Sequence, residues 1–282
     1  MVEIEALDAP FGAVVGGVDL REVESTAAAA IGEAWIEFGL LVFPDQHLTP
    51  GEQDEFARQF GDLEFTATPL TNLRRDSSLR TDPDDHFVRS LQGNEGWHHD
   101  STYLPLQAKG AVFSAEIVPS DGGATGFADM RAGYEALDDD LRERLDGLAA
   151  HHSRRYSMER AGLHIADDVA HQLYGYDVGE PPLRPLVKVH PDTGRANLLI
   201  GQHAFDIDGM PSTESEELLD RLNADACAAP RTYHHEWTVG DAVLWDNRRL
   251  MHRATPHDPE QPRRMWHTRI AGDPTTETAL NY

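Results

Sequence analysis

The stretch Gly96-Trp97-His98-His99-Asp100-Ser101-Thr102-Tyr103 gathers two histidines and a carboxylate into three positions. Imidazole nitrogens and carboxylate oxygens are ligands for zinc and for non-heme iron. On a strand, side chains alternate between faces, so His98 and Asp100 share one face and His99 points away. The His-x-Asp/Glu spacing is not specific by itself. With 15 histidines and 49 acidic residues, roughly two or three such pairs arise by chance. Three occur: His98/Asp100, His190/Asp192 and His234/Glu236.

Context chooses among them. His190-Pro191-Asp192-Thr193-Gly194 is a turn sequence, whose acid is expected to organise the turn. His234/Glu236 reads as a solvated strand face. His98/Asp100 follows a long polar stretch and runs into Ser-Thr-Tyr, so a ligand pair at a strand end is expected there. A second histidine must come from elsewhere, and His252 is the candidate, after the buried strand Val243-Leu244-Trp245 and a turn. Two histidines and one carboxylate leave half of an ion's coordination open, which suits non-heme Fe(II) binding an oxoacid and O₂. A zinc hydrolase can use the same donors. An anchor for an oxoacid separates the two, and Arg263 stands eleven residues beyond His252. Its planar fork can hold a carboxylate by two parallel hydrogen bonds. Taken alone, either Arg263 or Arg264 reads better as a surface residue.

These residues need elements to position them. Ser25–Phe38 has helical apolar spacing, ended by Gly39, and LLVFPD (40–45) follows as a buried strand. Thr49-Pro50 opens a second helix, with Thr49 as its N-cap. Residues 65–95 are polar and irregular, and a loop of that length is more often functional than decorative. A helix is expected over 130–148 and a helical stretch over 157–175. Strand-like segments dominate the rest: 110–118, 198–207, 232–240, 241–247 and 263–273. Helices first and many short strands afterwards predict a mainly β fold with flanking helices, a sandwich or jelly roll. The absence of a Gly-rich fingerprint after the first strand argues against a dinucleotide-binding fold.

Composition narrows the function further. The chain has 282 residues, 40% of them hydrophobic, enough for one large domain. Its formal net charge of −25 disfavours nucleic acid and anionic membranes as partners. No apolar run reaches membrane-spanning length, and the N-terminal residues lack the pattern of a signal peptide. A cytoplasmic protein is expected. Cys227, the single cysteine, excludes an intramolecular disulfide and reads as a small half-buried side chain at a helix end.

Taken together, GVDL (17–20), FGLLVFPDQHLTPGEQDEFARQFG (38–61), WHHD (97–100), GGATGFADMRAGYEAL (122–137), WDNRRLMH (245–252) and RRMWHTRIAGD (263–273) resemble the taurine dioxygenase/2,4-dichlorophenoxyacetate dioxygenase family of Fe(II)/2-oxoglutarate-dependent oxygenases. The blocks occur in the family's order over nearly the whole chain, and the GG-x-T block looks closer to the phenoxyacetate branch. The resemblance implies a double-stranded β-helix, a cupin-like jelly roll spanning 1–282 as a single domain. Residues 65–95 and 153–182 would then form a lid or insert over the active site. It implies Fe(II) bound by His98, Asp100 and His252, with 2-oxoglutarate and O₂ as cosubstrates. By motif position, Thr125 would bond the 2-oxoglutarate carboxylate and Arg263 would anchor it, with Arg264 as the substitute if the strand bulges. Asn94, His203 and His267 would meet the substrate. His267 is a departure, because family members often carry a second arginine there. The expected reaction is hydroxylation of a small, carboxylate-bearing molecule, with cleavage or desaturation as further outcomes, coupled to succinate and CO₂ formation. Asp100 disfavours halogenation, which needs that ligand position vacant. The resemblance also points to a homo-oligomer. A zinc hydrolase on a similar barrel and a non-catalytic jelly-roll binding module are the competing readings.

Overall fold

The computed structural model describes residues 2–164, 174–176 and 179–282. Its strands are β1 (Glu3–Ala6), β2 (Ala13–Gly16), β3 (Leu40–Phe43), β4 (Leu63–Thr71), β5 (Gly110–Ile117), β6 (Thr125–Asp129), β7 (Ala149–His152), β8 (Leu183–Pro185), β9 (Val187–Val189), β10 (Ala196–Leu198), β11 (Ala204–Ile207), β12 (Thr232–His235), β13 (Ala242–Asp246), β14 (Leu250–Ala254) and β15 (Arg264–Ile270). The α-helices are α1 (Ser25–Phe38), α2 (Pro50–Arg58), α3 (His86–Gln92), α4 (Met130–Glu135), α5 (Asp139–Leu145), α6 (Arg154–Arg160), α7 (Ser212–Ala226) and α8 (Pro274–Glu277).

Seven strands form the large sheet, in the order β1-β2-β3-β13-β5-β15-β4. A three-stranded sheet, β12-β6-β14, faces it, and β11-β7-β8 and β10-β9 extend that second layer. This is the jelly roll with flanking helices that the sequence predicts. Phe113, Trp245 and Met265 of the large sheet pack against Phe127 and Leu250 of the small one, forming the core between the layers. β13 is buried along its whole length, as a central strand covered on both faces must be.

Helices cover the outer faces. α1 lays Ile31, Ala34 and Trp35 on the large sheet, together with Phe56 of α2. Gly39 ends α1 with φ +76° and returns its N–H to the Trp35 carbonyl, a conformation that suits glycine. Thr49 caps α2 in a reciprocal box with Glu52, which satisfies two otherwise orphaned N–H groups. On the other side, Leu218, Leu219 and Leu222 of α7 pack with Met130 and Leu198 beneath the small sheet. Cys227 stands at the C-cap of α7, half-buried.

Three expectations change. Residues 65–95 are not uniformly irregular, because β4 pairs with β15 along the edge of the large sheet and α3 follows. The pattern was obscure because β4 is an edge strand in which no residue is fully buried, so neither face demands an apolar alternation. The helix expected over 130–148 is two short helices, because Asp138 caps the second through the Leu141 N–H. Of the stretch expected over 157–175 only 157–160 are helical, as the end of α6, which starts at Arg154; 165–173 lie outside the described residues, as do 177 and 178 of the proposed 153–182 insert. Among the described residues no helix is long and apolar enough to cross a membrane.

Candidate active site

His98, Asp100 and His252 meet at one end of the space between the sheets. Their ligand-type atoms all lie within 4.8 Å of one another, and all three residues are buried. His252 is on β14, and His98 forms a single bridge to it. The bridge is reciprocal: His98 N–H donates to the His252 carbonyl at 3.0 Å, and His252 N–H to the His98 carbonyl at 2.8 Å. The ring centroids are 4.3 Å apart.

The His98 segment is not a continuous strand. Ser101 has φ +58° and turns the chain immediately after Asp100, a costly conformation for a residue other than glycine. Its hydroxyl donates to Glu64 Oε1 at 2.6 Å and accepts from Arg269 at 2.8 Å. The alternation around it still holds. His99 points away, with Nδ1 donating to the Asn247 carbonyl at 2.8 Å, while Asn247 clamps Asp100 from both sides. Asn247 Oδ1 accepts from Asp100 N–H at 2.7 Å and its Nδ2 donates to the Asp100 carbonyl at 2.9 Å. Gly201 (φ +116°) lies so close that a Cβ there would stand 3.2 Å from His98 Cα and 2.8 Å from Met251 Sδ.

The electrostatics favour a cation. Burial, the largest cause, pushes both His98 and His252 down, so both rings are neutral at pH 7 and keep a lone pair. His98 Nδ1 donates to the Gly96 carbonyl at 2.8 Å, which leaves Nε2 as its free donor atom. Burial alone would raise Asp100, but Arg269, with His252 and His267 beside it, holds its carboxyl well below the usual range. Asp100 Oδ1 accepts from Arg269 at 2.6 Å. Oδ2 makes no hydrogen bond, with His267 Nε2 at 3.4 Å and His252 Nε2 at 3.7 Å. A buried carboxylate oxygen without a partner, between neutral imidazoles, is the donor set that a hard-to-borderline divalent metal fits.

A cavity of about 680 Å³ opens over these three residues. Arg263 and Thr125 line it and Arg264 does not. Arg263 donates to the Gly123 carbonyl at 3.1 Å and has no carboxylate partner among the described residues. Burial lowers it to about 10, so it remains charged at pH 7. Arg264 is turned out of the cavity onto Glu116 at 3.0 Å, even though β15 shifts register against β5 at Arg264/Met265. Thr125 Oγ1 accepts from Trp237 Nε1 at 2.9 Å. Asn94, His203 and His267 all line the cavity. His203 is buried, with Nδ1 2.9 Å from Ser157 Oγ and its ring edge-on to His98. His267 stacks on Trp245 with centroids 5.6 Å apart and sits edge-on to Phe65 and Phe113.

The other two His-x-acid pairs stand apart from the site. His234 and Glu236 are exposed. In the turn after β9 the roles differ from expectation. His190 Nδ1 accepts from the N–H groups of Asp192 and Thr193, while the Asp192 carboxylate pairs with Arg248 at 2.8 Å. The histidine organises the turn because its buried ring is held from behind by Asp246 at 2.9 Å. Two site residues were not anticipated: Arg269 and Asn247. The alternation that puts Arg263 and His267 on one face of β15 extends to Arg269, which was the available signal. Asn247 offered only its place in the turn after a buried strand.

Comparison with known proteins supplies the remaining findings. The family model described as taurine catabolism dioxygenase TauD, TfdA family matches residues 3–269. An (S)-phenoxypropionate/alpha-ketoglutarate dioxygenase of Sphingobium herbicidovorans is 57% identical over 99% of this chain and 98% of its own length. One of the same description from Delftia acidovorans is 46% identical, with the same coverages. A crystal structure of AAD-2 in complex with Mn(II) and N-oxalylglycine superposes with a TM-score of 0.90 at 35% identity, covering 99% of both chains.

Proposed function

For a chain that belongs to the TauD/TfdA family of Fe(II)- and 2-oxoglutarate-dependent dioxygenases, we propose that the substrate is a 2-aryloxyalkanoate, oxidised at the carbon bearing the ether oxygen. The observation that carries this reading is the convergence of His98, Asp100 and His252 in one cavity with the unpaired guanidinium of Arg263. The identity to relatives named for phenoxypropionate supports the substrate class.

In this reading His98 Nε2, Asp100 Oδ2 and His252 hold iron, and Arg263 and Thr125 hold the far carboxylate of 2-oxoglutarate. Bound iron supplies the O₂ chemistry that replaces a substrate C–H by C–OH as 2-oxoglutarate becomes succinate and CO₂. The chain's own work is placement. Arg269 and Asn247 fix the Asp100 carboxylate and backbone, and Gly96 fixes the His98 tautomer. Arg263 keeps four N–H donors after its bond to Gly123, enough for a bidentate grip on a carboxylate. Phe65, Leu70, Val88 and Leu91 line the same cavity, and they offer an aryl ring an apolar wall that excludes water. Arg264, directed at Glu116, has no part in this arrangement. Hydroxylation beside the ether oxygen gives a hemiketal. Its O–H proton passes to the phenolic oxygen as the C–O bond breaks, leaving a 2-oxoacid and a phenol.

The test has two steps. The purified chain with Fe(II) and 2-oxoglutarate, without oxygen, should develop the weak visible charge-transfer band of the chelate. With oxygen and 2-phenoxypropionate, succinate and phenol should appear in equal amounts. Metal binding without the band points to the zinc hydrolase instead, and succinate formation without phenol points to another substrate class.

A further inference from the structure

The aryloxyalkanoate reading leaves the substrate's own carboxylate without a partner. Five arginines line the cavity: Arg80, Arg154, Arg253, Arg263 and Arg269. Three are committed. Arg269 is bound to Asp100 and Glu64, Arg80 to Asp85 at 2.7 Å, and Arg263 is assigned to the cosubstrate. Arg253 lies over Trp97, 4.7 Å from the ring centroid, and as the residue after His252 on β14 its side chain leaves the strand on the opposite face.

Arg154, the first residue of α6, is different. Its guanidinium donates to the Tyr174 carbonyl at 2.7 Å and to Ser90 Oγ at 3.0 Å, and it lies 6.0 Å from the Tyr103 ring. The Tyr103 ring is 4.9 Å from His203, and the His203 ring 5.5 Å from His98. Among the described residues no carboxylate pairs with Arg154. Two neutral hydrogen bonds orient a cation that lines the same cavity as the donor cluster, with three N–H groups to spare.

Resting on the substrate reading above, we propose that Arg154 binds the substrate carboxylate and thereby selects acids over neutral analogues and one enantiomer over the other. Arg154 fixes the carboxylate and the apolar wall fixes the ring. With two points held, only one enantiomer of a 2-aryloxypropionate directs its C2–H bond at the metal side of the cavity. A neutral amide of the same shape offers the half-buried guanidinium no anion to pair with, so the amide binds more weakly.

The experiment compares the Fe(II)-loaded wild type with Arg154→Gln and Arg154→Lys. The probes are (R)- and (S)-2-phenoxypropionate and 2-phenoxypropionamide, and the anaerobic chelate band reports 2-oxoglutarate binding. In Arg154→Gln, KM for the preferred acid should rise about ten- to a hundredfold, the scale of a lost charge-assisted hydrogen-bond pair. The enantiomer ratio should fall toward one, with 2-oxoglutarate affinity and KM for the amide nearly unchanged. Arg154→Lys, which keeps the charge and loses the fork, should lie between. Equal changes for acid and amide, or an enantiomer ratio that holds, would overturn the assignment. A wild type that turns over neither acid removes the substrate reading and this inference together, before any variant is made.

Discussion

Replacing Arg263 by Met removes the proposed grip on 2-oxoglutarate without removing a ligand. The guanidinium is half-buried just before β15, gives one hydrogen bond to Gly123 and faces no carboxylate among the described residues. A cosubstrate carboxylate would therefore take two of its free N–H donors. Charge-assisted hydrogen bonds contribute about 1.5–3 kcal/mol each, and truncating one member of a buried charged pair costs about 2–5 kcal/mol. The expected loss of about 3–5 kcal/mol weakens 2-oxoglutarate binding by roughly 10²- to 10⁴-fold. Arg264 is the internal control. Its pair with Glu116 joins side chains that are 24% and 42% exposed, and such pairs contribute about 0–1 kcal/mol. Arg264→Ala should leave cosubstrate affinity within about threefold. Anaerobic titration of the Fe(II) protein, read at the visible chelate band, measures both. A large loss in Arg264→Ala with little in Arg263→Met would shift the anchor by one residue and refute the strand geometry used here.

Asp100→Ala should abolish turnover and metal retention, because it removes the only carboxylate among the donors. His99→Ala should keep iron and lose about 2–3 kcal/mol of stability, since the lost ring leaves a cavity and leaves the Asn247 carbonyl with only the long bond from Gln107 at 3.4 Å; equal loss of iron in both would show that the two faces were misassigned. Gly201→Ala should weaken metal retention, because its new methyl group would press on His98 and Met251, and equilibrium dialysis of Fe(II) reads this directly. Asp246→Asn should destabilise the fold by about 3 kcal/mol at pH 7, leaving the buried Arg248 short of a partner. The pH dependence has a definite sign. Burial opposes ionisation of Asp246, but Arg248 and His190 hold its carboxyl well below the ordinary value. Its contribution is therefore full above about pH 4 and is lost as pH falls through the folded value. Urea midpoints of the two proteins should converge on acidification, and a gap that widens instead would reverse the assignment.

Helices α1 and α2 were legible because each carries its own punctuation, a glycine after one and a Thr-Pro cap before the other. β13 was legible as an apolar run ending in a turn. Pairing His98 with His252 required more than local pattern. The spacing of His98 and Asp100 put them on one face, the buried strand and turn before His252 nominated the partner, and the family likeness implied the same residue. Ser101 defeated the local reading, since Ser-Thr-Tyr favours a strand and only the grip of Glu64 and Arg269 on its hydroxyl holds it at positive φ. Arg269 was missed for a related reason. A buried arginine two positions from His267 looks like any strand residue until its carboxylate partner, far away in sequence, is known. The net charge misleads in the same way. A strongly acidic chain suggests repulsion of anions, yet the cavity is lined by five arginines, and it is the local field inside a low-dielectric cleft that an anionic substrate meets.

The two backbone hydrogen bonds between His98 and His252 bear on how the protein acquires metal. The imidazoles are brought together by a ring closed by two backbone hydrogen bonds, so the entropy of gathering them is spent when the chain folds rather than when iron arrives. Binding then draws on a chelate already assembled, in contrast to small domains that fold around their ion. Loss of iron leaves the frame standing, and reloading needs no refolding. The active fraction of such an enzyme follows the free Fe(II) around it at each moment, with no memory of the metal present when it was made.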